Sequence, residues 1–555
     1  MKILPLLLLS SCVLAQNPPP PADPLAPPLD PVGNESSFDK VMLGKVLFWD
    51  EQLSSTKTVA CATCHILSNG GTDPRSIVND INAINPGIDG VFNTGDDITG
   101  SPGVSESNAI GDYQYNPLYG YFSQVTGRKA PSVINSGYAD SLFWDGRAGD
   151  ELIDPITNQT ILSSGAALES QVLGPPTSST EMAHSGRSWQ DVITSVEQSS
   201  PLALAPIVSS DIANWIGANS YYQLFQMVFG STEITASKIA MAIASYERSL
   251  FSDQTPFDEN LNGNPAALTQ QERRGLAVFR GALCGGCHAT ALLSDNNFHN
   301  IGVSPNNEDE GRFAVTGLAR DRGRFKTPPL RNLEYRTSFM HNGAFSTLEQ
   351  VIDFYDRGGD FNNPNLDPRM VPLNLSQTQK EELVSFLKRP LTDERVSSET
   401  GPFERPKLYS ESDRVPQIIG NGISGTNDKI PVIHANQPPL LGNSSFTLAV
   451  ENALPGVNST FVVAEDDPGI EGLPSSVNAM FYISKTLLSN NNDGHVSISV
   501  VLPSDNSLNG MTLYGRWYIE DSQTANGYAI SPLLQFTLFK PEFGHAGQIF
   551  SGSFE

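Results

Sequence analysis

A chain of 555 residues is long enough for several cores, roughly three or four at ~150 residues each. Asp and Glu number 60 against 34 Lys and Arg, a net charge of -26, which excludes an extended basic face for nucleic acid. The same acidity draws a small basic partner towards the surface at low salt.

The chain opens with Met1-Lys2 and the apolar run ILPLLLLSSCVLA, which reads as a signal peptide over residues 1–15, cut after Ala15. Leu9-Ser10-Ser11-Cys12 offers a second reading, a lipoprotein box in which Cys12 carries the anchor. No later segment reaches the ~18 uninterrupted apolar residues of a membrane span, so a periplasmic or otherwise exported protein without a transmembrane span is expected. Residues 16–35 are Pro-rich and form an extended linker. From Phe38, FDKVMLGKVLFWDEQLS places Val41, Lys45 and Phe48 on one helical side with Met42, Val46 and Trp49 beside it. This amphipathic helix leads into Cys61-Ala62-Thr63-Cys64-His65.

Five cysteines are present; with Cys12 in the leader, the other four lie in Cys61-x-x-Cys64-His65 and Cys284-x-x-Cys287-His288. None remains for a disulfide. In this pentapeptide the two thiols form thioethers to the haem vinyl groups and the adjacent His ligates the iron, so two covalent haem c groups are expected. A zinc or redox Cys-x-x-Cys does not account for His in the fifth position of both copies.

Between the motifs, NPGIDGVFNTGDD at 85–97 has carboxylates at Asp89, Asp96 and Asp97 that suit calcium, but its Asn, Asp and Gly content reads as a solvated turn cluster, and it is not counted as a site. Ile239, Ala242, Ile243, Tyr246 and Leu250 keep helical spacing, and Thr269 with Glu272 forms a capping box opening a helix through Leu276 and Phe279 to the second motif. The two motifs lie too far apart for one cytochrome unit, which divides the chain into a first haem domain at 36–255 and a second at 256–400. After Gly401 come the short β-rich runs FTLAV, TFVVA, MFYI, HVSISVV, LYGRWYI and LLQFTL, separated by Gly, Asn, Pro and Asp turns. The expected fold is mainly α, with two cytochrome-c-like haem domains and a C-terminal all-β, sandwich-like accessory domain at 401–555. His434, His495 and His545 lack ligand spacing, and Trp517 reads as core.

The two haem motifs, LGKVLFWDEQLS, FWDGR (143–147), GRFAVTG (311–317), PPLRNL (328–333) and FMHNGAFSTLEQVIDFY (339–355) together resemble bacterial dihaem cytochrome c peroxidases over about 38–395, with MauG-type enzymes the nearer subtype. The resemblance implies a second iron ligand fourteen positions after His341, which here is Tyr355, with Met340 and Met370 as runners-up. The residues agree: Leu348, Val351, Ile352 and Tyr355 share a helical face, which Ser346 and Glu349 are expected to cap. A phenolate is a harder donor than a thioether and stabilises ferric iron. Around the first haem the resemblance assigns Gln171, Pro175 and Glu181 to the distal pocket, Glu181 as acid–base group, and Trp144 as the bridge between haems. Residues 66–128 hold no His, Met or Cys, so the sixth position of the first iron is expected open, with Tyr113, Tyr115, Tyr119, Tyr121 and His184 as possible plugs.

Family members hold calcium between the domains through an Asn, where this chain has Lys129 in Arg128-Lys129-Ala130-Pro131, with Arg336 and Ser338 downstream. Lys has no oxygen to donate, so an interdomain calcium is in doubt and Lys129 is a candidate to supply that charge. The expected function is reduction of hydrogen peroxide with electrons from a small redox protein, a cytochrome c or cupredoxin. The alternatives are MauG-like oxidation of Trp or Tyr on a partner protein, and a non-enzymatic dihaem electron carrier or sensor.

Overall fold

The structure is a computed structural model describing residues 25–474, 479–490 and 493–541. Ala15, Cys12 and His545 lie outside the described residues. Helix makes up 30% of the chain and strand 17%, which is less helix than a mainly α chain has. The deficit has a local cause. Between Gly70 and Ala166, a stretch rich in Gly, Asn, Asp and Pro, there are single 3-10 turns and short ladders but no α-helix.

The first motif is held by two helices packed on each other. Phe38–Trp49 starts at Ser37, whose hydroxyl accepts the Lys40 N–H at 3.2 Å, and buries Leu43, Val46 and Leu47 against Ile239, Ala242 and Ile243 of Ala236–Ser249. Trp49 donates its indole N–H to the Tyr246 hydroxyl at 3.0 Å, and Phe48 lies between Tyr246 and His65, with ring centroids 5.3 and 6.5 Å away. The second motif repeats the plan. Gln270–Gly281 opens on the reciprocal Thr269 and Glu272 capping box and packs Leu276 and Phe279 against Leu383 and Phe386 of Gln377–Leu387.

All six apolar runs of the C-terminal region form strands. Four strands pair antiparallel in the order Val432–His434, Phe446–Ala453, Asp493–Val500, Leu488–Asn490. A second sheet runs Ala479–Thr486, Asn458–Ala464, Thr512–Glu520, Leu533–Thr537, Gln417–Ile419, with Tyr528–Ile530 also on Thr512–Glu520. Phe446, Leu448, Val450 and Ile498 of the first sheet share one core with Phe461, Trp517, Leu534 and Phe536 of the second, which makes the region a sandwich. Thr447, Ala449 and Glu451, on the other face of Phe446–Ala453, are buried too, at 0%, 0% and 7% exposure. A half-solvated strand would leave them wet. Residues 106–122 cover them.

Candidate functional site

Cys61–Cys64 is a single helical turn that ends at His65. The His65 Nδ1 faces the Gly71 carbonyl at 3.2 Å, and the His288 Nδ1 faces that of Leu293 at 2.9 Å. A carbonyl only accepts, so each Nδ1 carries the proton and each Nε2 is left with its lone pair for a metal. Burial holds both imidazoles below their ordinary pKa, which keeps them neutral as ligation requires. At the first motif, the Arg75 guanidinium also contacts the Cys64 Sγ at 3.4 Å.

A cavity of about 550 Å³ opens beside Cys61, Cys64 and His65, and Gln171, Pro175 and Glu181 line it as well. Gln171 lies in the last turn of Ala167–Val172, a helix anchored to Ala236–Ser249 by the buried Glu169–Arg248 ion pair at 2.9 Å. Pro175 opens a 3-10 turn, and the Ser178 carbonyl then gathers the N–H groups of Glu181, Met182 and Ala183 at 2.9 to 3.1 Å. Burial pushes the Glu181 carboxyl above the usual carboxylate range. Such a group exchanges a proton nearer neutral pH than an exposed Glu does. Glu247 lines the same cavity and was missed from sequence. It is 5% exposed, among the described residues its Oε2 has no hydrogen-bond partner, and burial raises its pKa to about 8. Its signal was legible: four residues after Ile243, it shares the inward face of that helix.

The second cavity, about 200 Å³, is lined by Cys284, Cys287, His288 and Tyr355, and also by Met340 and Met370. Tyr355 sits on Leu348–Asp356 as the spacing predicts, but the capping box is one residue later than expected, Thr347 with Gln350 rather than Ser346 with Glu349. Thr347 takes the extended N-cap conformation, and Ser346 joins only through the Gln350 side chain. Burial raises the Tyr355 phenol well above its ordinary pKa, so on its own it stays protonated; only a bound cation would favour the phenolate.

Trp144 and Lys129 line both cavities. The Trp144 indole N–H donates to the Lys129 carbonyl at 2.7 Å, its own carbonyl accepts from Lys326 N–H at 2.8 Å, and the His341 ring meets it edge-on at 6.3 Å. The ring is thereby fixed between the sites. Lys129 is 4% exposed, and burial, helped by the like charge of the half-buried Arg336, pushes its amine down to about 7, while the Ser338 hydroxyl donates to the Ser76 carbonyl. Two nitrogen side chains and an engaged hydroxyl offer calcium no free side-chain oxygen at these positions.

In the 85–97 loop, Asp96 accepts the N–H groups of Ile88 and Asp89, Asp89 that of Val91, and Asp97 that of Asn93, a set of local turns. None of Tyr113, Tyr115, Tyr119, Tyr121 and His184 lines the first cavity. Tyr113, Tyr115 and Tyr121 pack against the C-terminal sheet, Tyr119 packs on Phe92, and His184 bonds Ser55 at 3.0 Å. Among the described residues, Cys287, Asp295 and His299 form the one cluster with metal-ligand spacing, but Cys287 is the expected thioether and His299 is held by Asp295 and Asp367 at 2.9 Å each.

Comparison with known proteins places this geometry among relatives. Residues 38–266 match the family described as di-haem cytochrome c peroxidase. The chain is 30% identical to the methylamine utilization protein MauG of Methylorubrum extorquens, over 68% of this chain and 84% of that protein. It is also 30% identical to the cytochrome c551 peroxidase of Nitrosomonas europaea, over 60% of this chain and 77% of that protein. A MauG-like protein associated with microbial copper homeostasis superposes with a TM-score of 0.50 at 25% identity, over 70% of this chain and 99% of that one.

Proposed function

Because this chain belongs to the di-haem cytochrome c peroxidase and MauG family, and is therefore a haem peroxidase, we propose that it is an exported enzyme that reduces hydrogen peroxide with electrons from a cytochrome c or cupredoxin. In this reading Cys61, Cys64 and His65 hold one covalent haem c, and Cys284, Cys287, His288 and Tyr355 the other. Bound there, the haem irons supply a peroxide-binding centre and a second redox centre. What supports it is convergence: Gln171, Pro175 and Glu181, far from Cys61 in sequence, line the cavity beside it, and Trp144 lines both cavities.

Reducing peroxide to two waters takes two electrons and two protons. Glu181 removes the proton from one peroxide oxygen and delivers it to the other, so that the departing group leaves as water. Gln171 offers an amide that orients peroxide, Pro175 shapes the wall, and Trp144 shortens the path for electrons between the two sites. Family membership sets aside the non-enzymatic carrier or sensor. Among the described residues no helix is long and apolar enough to cross a membrane.

Tyr355 favours a second reading, MauG-like oxidation of Trp or Tyr residues on a partner protein, because a phenolate ligand suits an oxidised second haem better than an electron-storing one. Adding peroxide to the diferric protein with and without a reduced cytochrome separates the two. Rapid cytochrome turnover supports the peroxidase; a long-lived oxidised state with little turnover replaces it with protein oxidation.

A further inference from the structure

Residues 106–122 leave and re-enter the first region through an antiparallel stem, Pro102–Ser105 against Ser123–Val125. The excursion lies on the outer face of the four-stranded sheet, and the sheet grips its backbone. The Glu451 Oε2 accepts the Tyr121 N–H at 3.2 Å while its Oε1 bonds the His434 Nε2 at 3.0 Å. Gly120 takes φ +58°, which favours glycine, and a Cβ there would stand 2.1 Å from that carboxylate and push it aside. Gln437 and Thr447 both donate to the Gly111 carbonyl, at 2.9 and 3.0 Å, and the Ser497 hydroxyl donates to the Tyr113 carbonyl at 2.8 Å. The Tyr115 ring stacks on His495 at 3.9 Å. Side-chain burial alone would glue two domains together; bonds to main-chain groups along the loop also fix its height and register.

The stem end of the same hairpin carries the Glu181 loop. Gln124 donates to the Ser179 carbonyl at 2.9 Å, and Gly103 lies so close that a Cβ there would stand 1.9 Å from the Thr180 carbonyl oxygen and 2.9 Å from the Glu181 Cα. The Pro102 carbonyl accepts the Arg75 guanidinium at 2.6 Å, the group that also contacts Cys64.

We propose that the C-terminal β-sandwich is a positioning domain for the peroxide cavity: by clamping residues 106–122 it fixes the stem against which the Ser179–Glu181 loop rests. Glu451 is the central positioning residue, acting through Tyr121 and the stem rather than on peroxide. The proposal rests on the reading of the first cavity as the peroxide site.

The test uses full-length holoprotein carrying Glu451→Ala, the pair Tyr115→Ala with His495→Ala, and the conservative Glu451→Gln, with bound haem counted by mass spectrometry. Hydrogen exchange over 106–122 reports the clamp, cyanide affinity of the first haem reports cavity shape, and the pH profile of kcat/KM for peroxide reports Glu181. Both alanine variants are expected to speed exchange in the loop, change cyanide affinity several-fold and move the acid limb of the profile towards an ordinary carboxylate, while Glu451→Gln, which keeps an acceptor for Tyr121, restores all three. Unchanged loop exchange in both alanine variants overturns the proposal, and so does faster exchange with unaltered cyanide affinity. If cyanide affinity moves but Glu181→Gln has normal peroxide kinetics, the clamp stands and the acid–base role of Glu181 is what fails.

Discussion

At the scale of single residues, environment decides which groups do chemistry. Glu181 and Glu247 line one cavity and both are raised by burial, yet Glu181 sits on a turn beside Gln171 and Pro175 while Glu247 is fixed in the helix Ala236–Ser249. Glu181→Gln is expected to lower kcat/KM for peroxide by ~10²- to 10⁴-fold with both haems retained, the span of a lost general acid–base group. In the proposed step Glu181 must be ionised to take the first proton, and burial holds its folded pKa above the usual range. Turnover of the native enzyme therefore falls as pH drops through that raised value, and the glutamine variant loses this limb. Native turnover in the variant sinks the assignment. Tyr355 has a spectral test, because Met340 and Met370 line the same cavity. The ferric protein should lack a sulfur-to-iron charge-transfer band and Tyr355→Met should gain one; a band in the native protein would instead make Met340 or Met370 the ligand.

At the scale of elements, what was readable followed periodicity. The helices through Phe48, Ile243, Leu276 and Tyr355 and the six C-terminal strands built on the apolar runs carry apolar spacing strong enough to fix their type. The capping box before Tyr355 was misplaced by one residue because Ser346 and Thr347 are both good caps and Glu349 and Gln350 both good partners; only the backbone angle of Thr347 decides between them. The cavity walls were the harder part. Gln171, Pro175, Glu181 and Trp144 came from resemblance, since a turn rich in Pro, Ser and Thr has no period to read, and the clamp of 106–122 depends on pairings with residues more than 300 positions away. Thr347→Ala should cost about 1 kcal/mol of local stability, seen as faster hydrogen exchange over 348–356. If Tyr355 ligates the second iron, the metal bond pins that helix. Removing the cap then has less effect in the holoprotein than in a Tyr355→Phe background, and equal effects in both would argue against ligation.

At the scale of the whole molecule, the sandwich is tied to the rest by a second junction whose pH dependence can be worked out. Glu51, just after the first helix and 2% exposed, accepts the N–H groups of Tyr409 at 2.5 Å and Ser410 at 3.1 Å, at the start of the segment leading into the sheets. Burial raises its pKa to about 8; the Ser410 hydroxyl and the two N–H donors pull the other way, and burial is the larger effect. Unfolded, a Glu titrates near ~4.3. Between these values the folded chain binds a proton that the unfolded chain does not, so the Glu51 contribution to stability declines as pH rises from about 4.5 to about 8 and is flat outside that window. Glu247 and Asp50 are raised by burial as well and add slopes of the same sign, so the native slope alone assigns nothing to Glu51. The difference between native protein and Glu51→Gln isolates it. That difference should move steadily in favour of the glutamine variant between pH 5 and 8 in denaturant unfolding, because a neutral amide keeps one acceptor and never ionises. Parallel curves would show that Glu51 titrates alike in both states and that its carboxyl is not the buried acid of this junction.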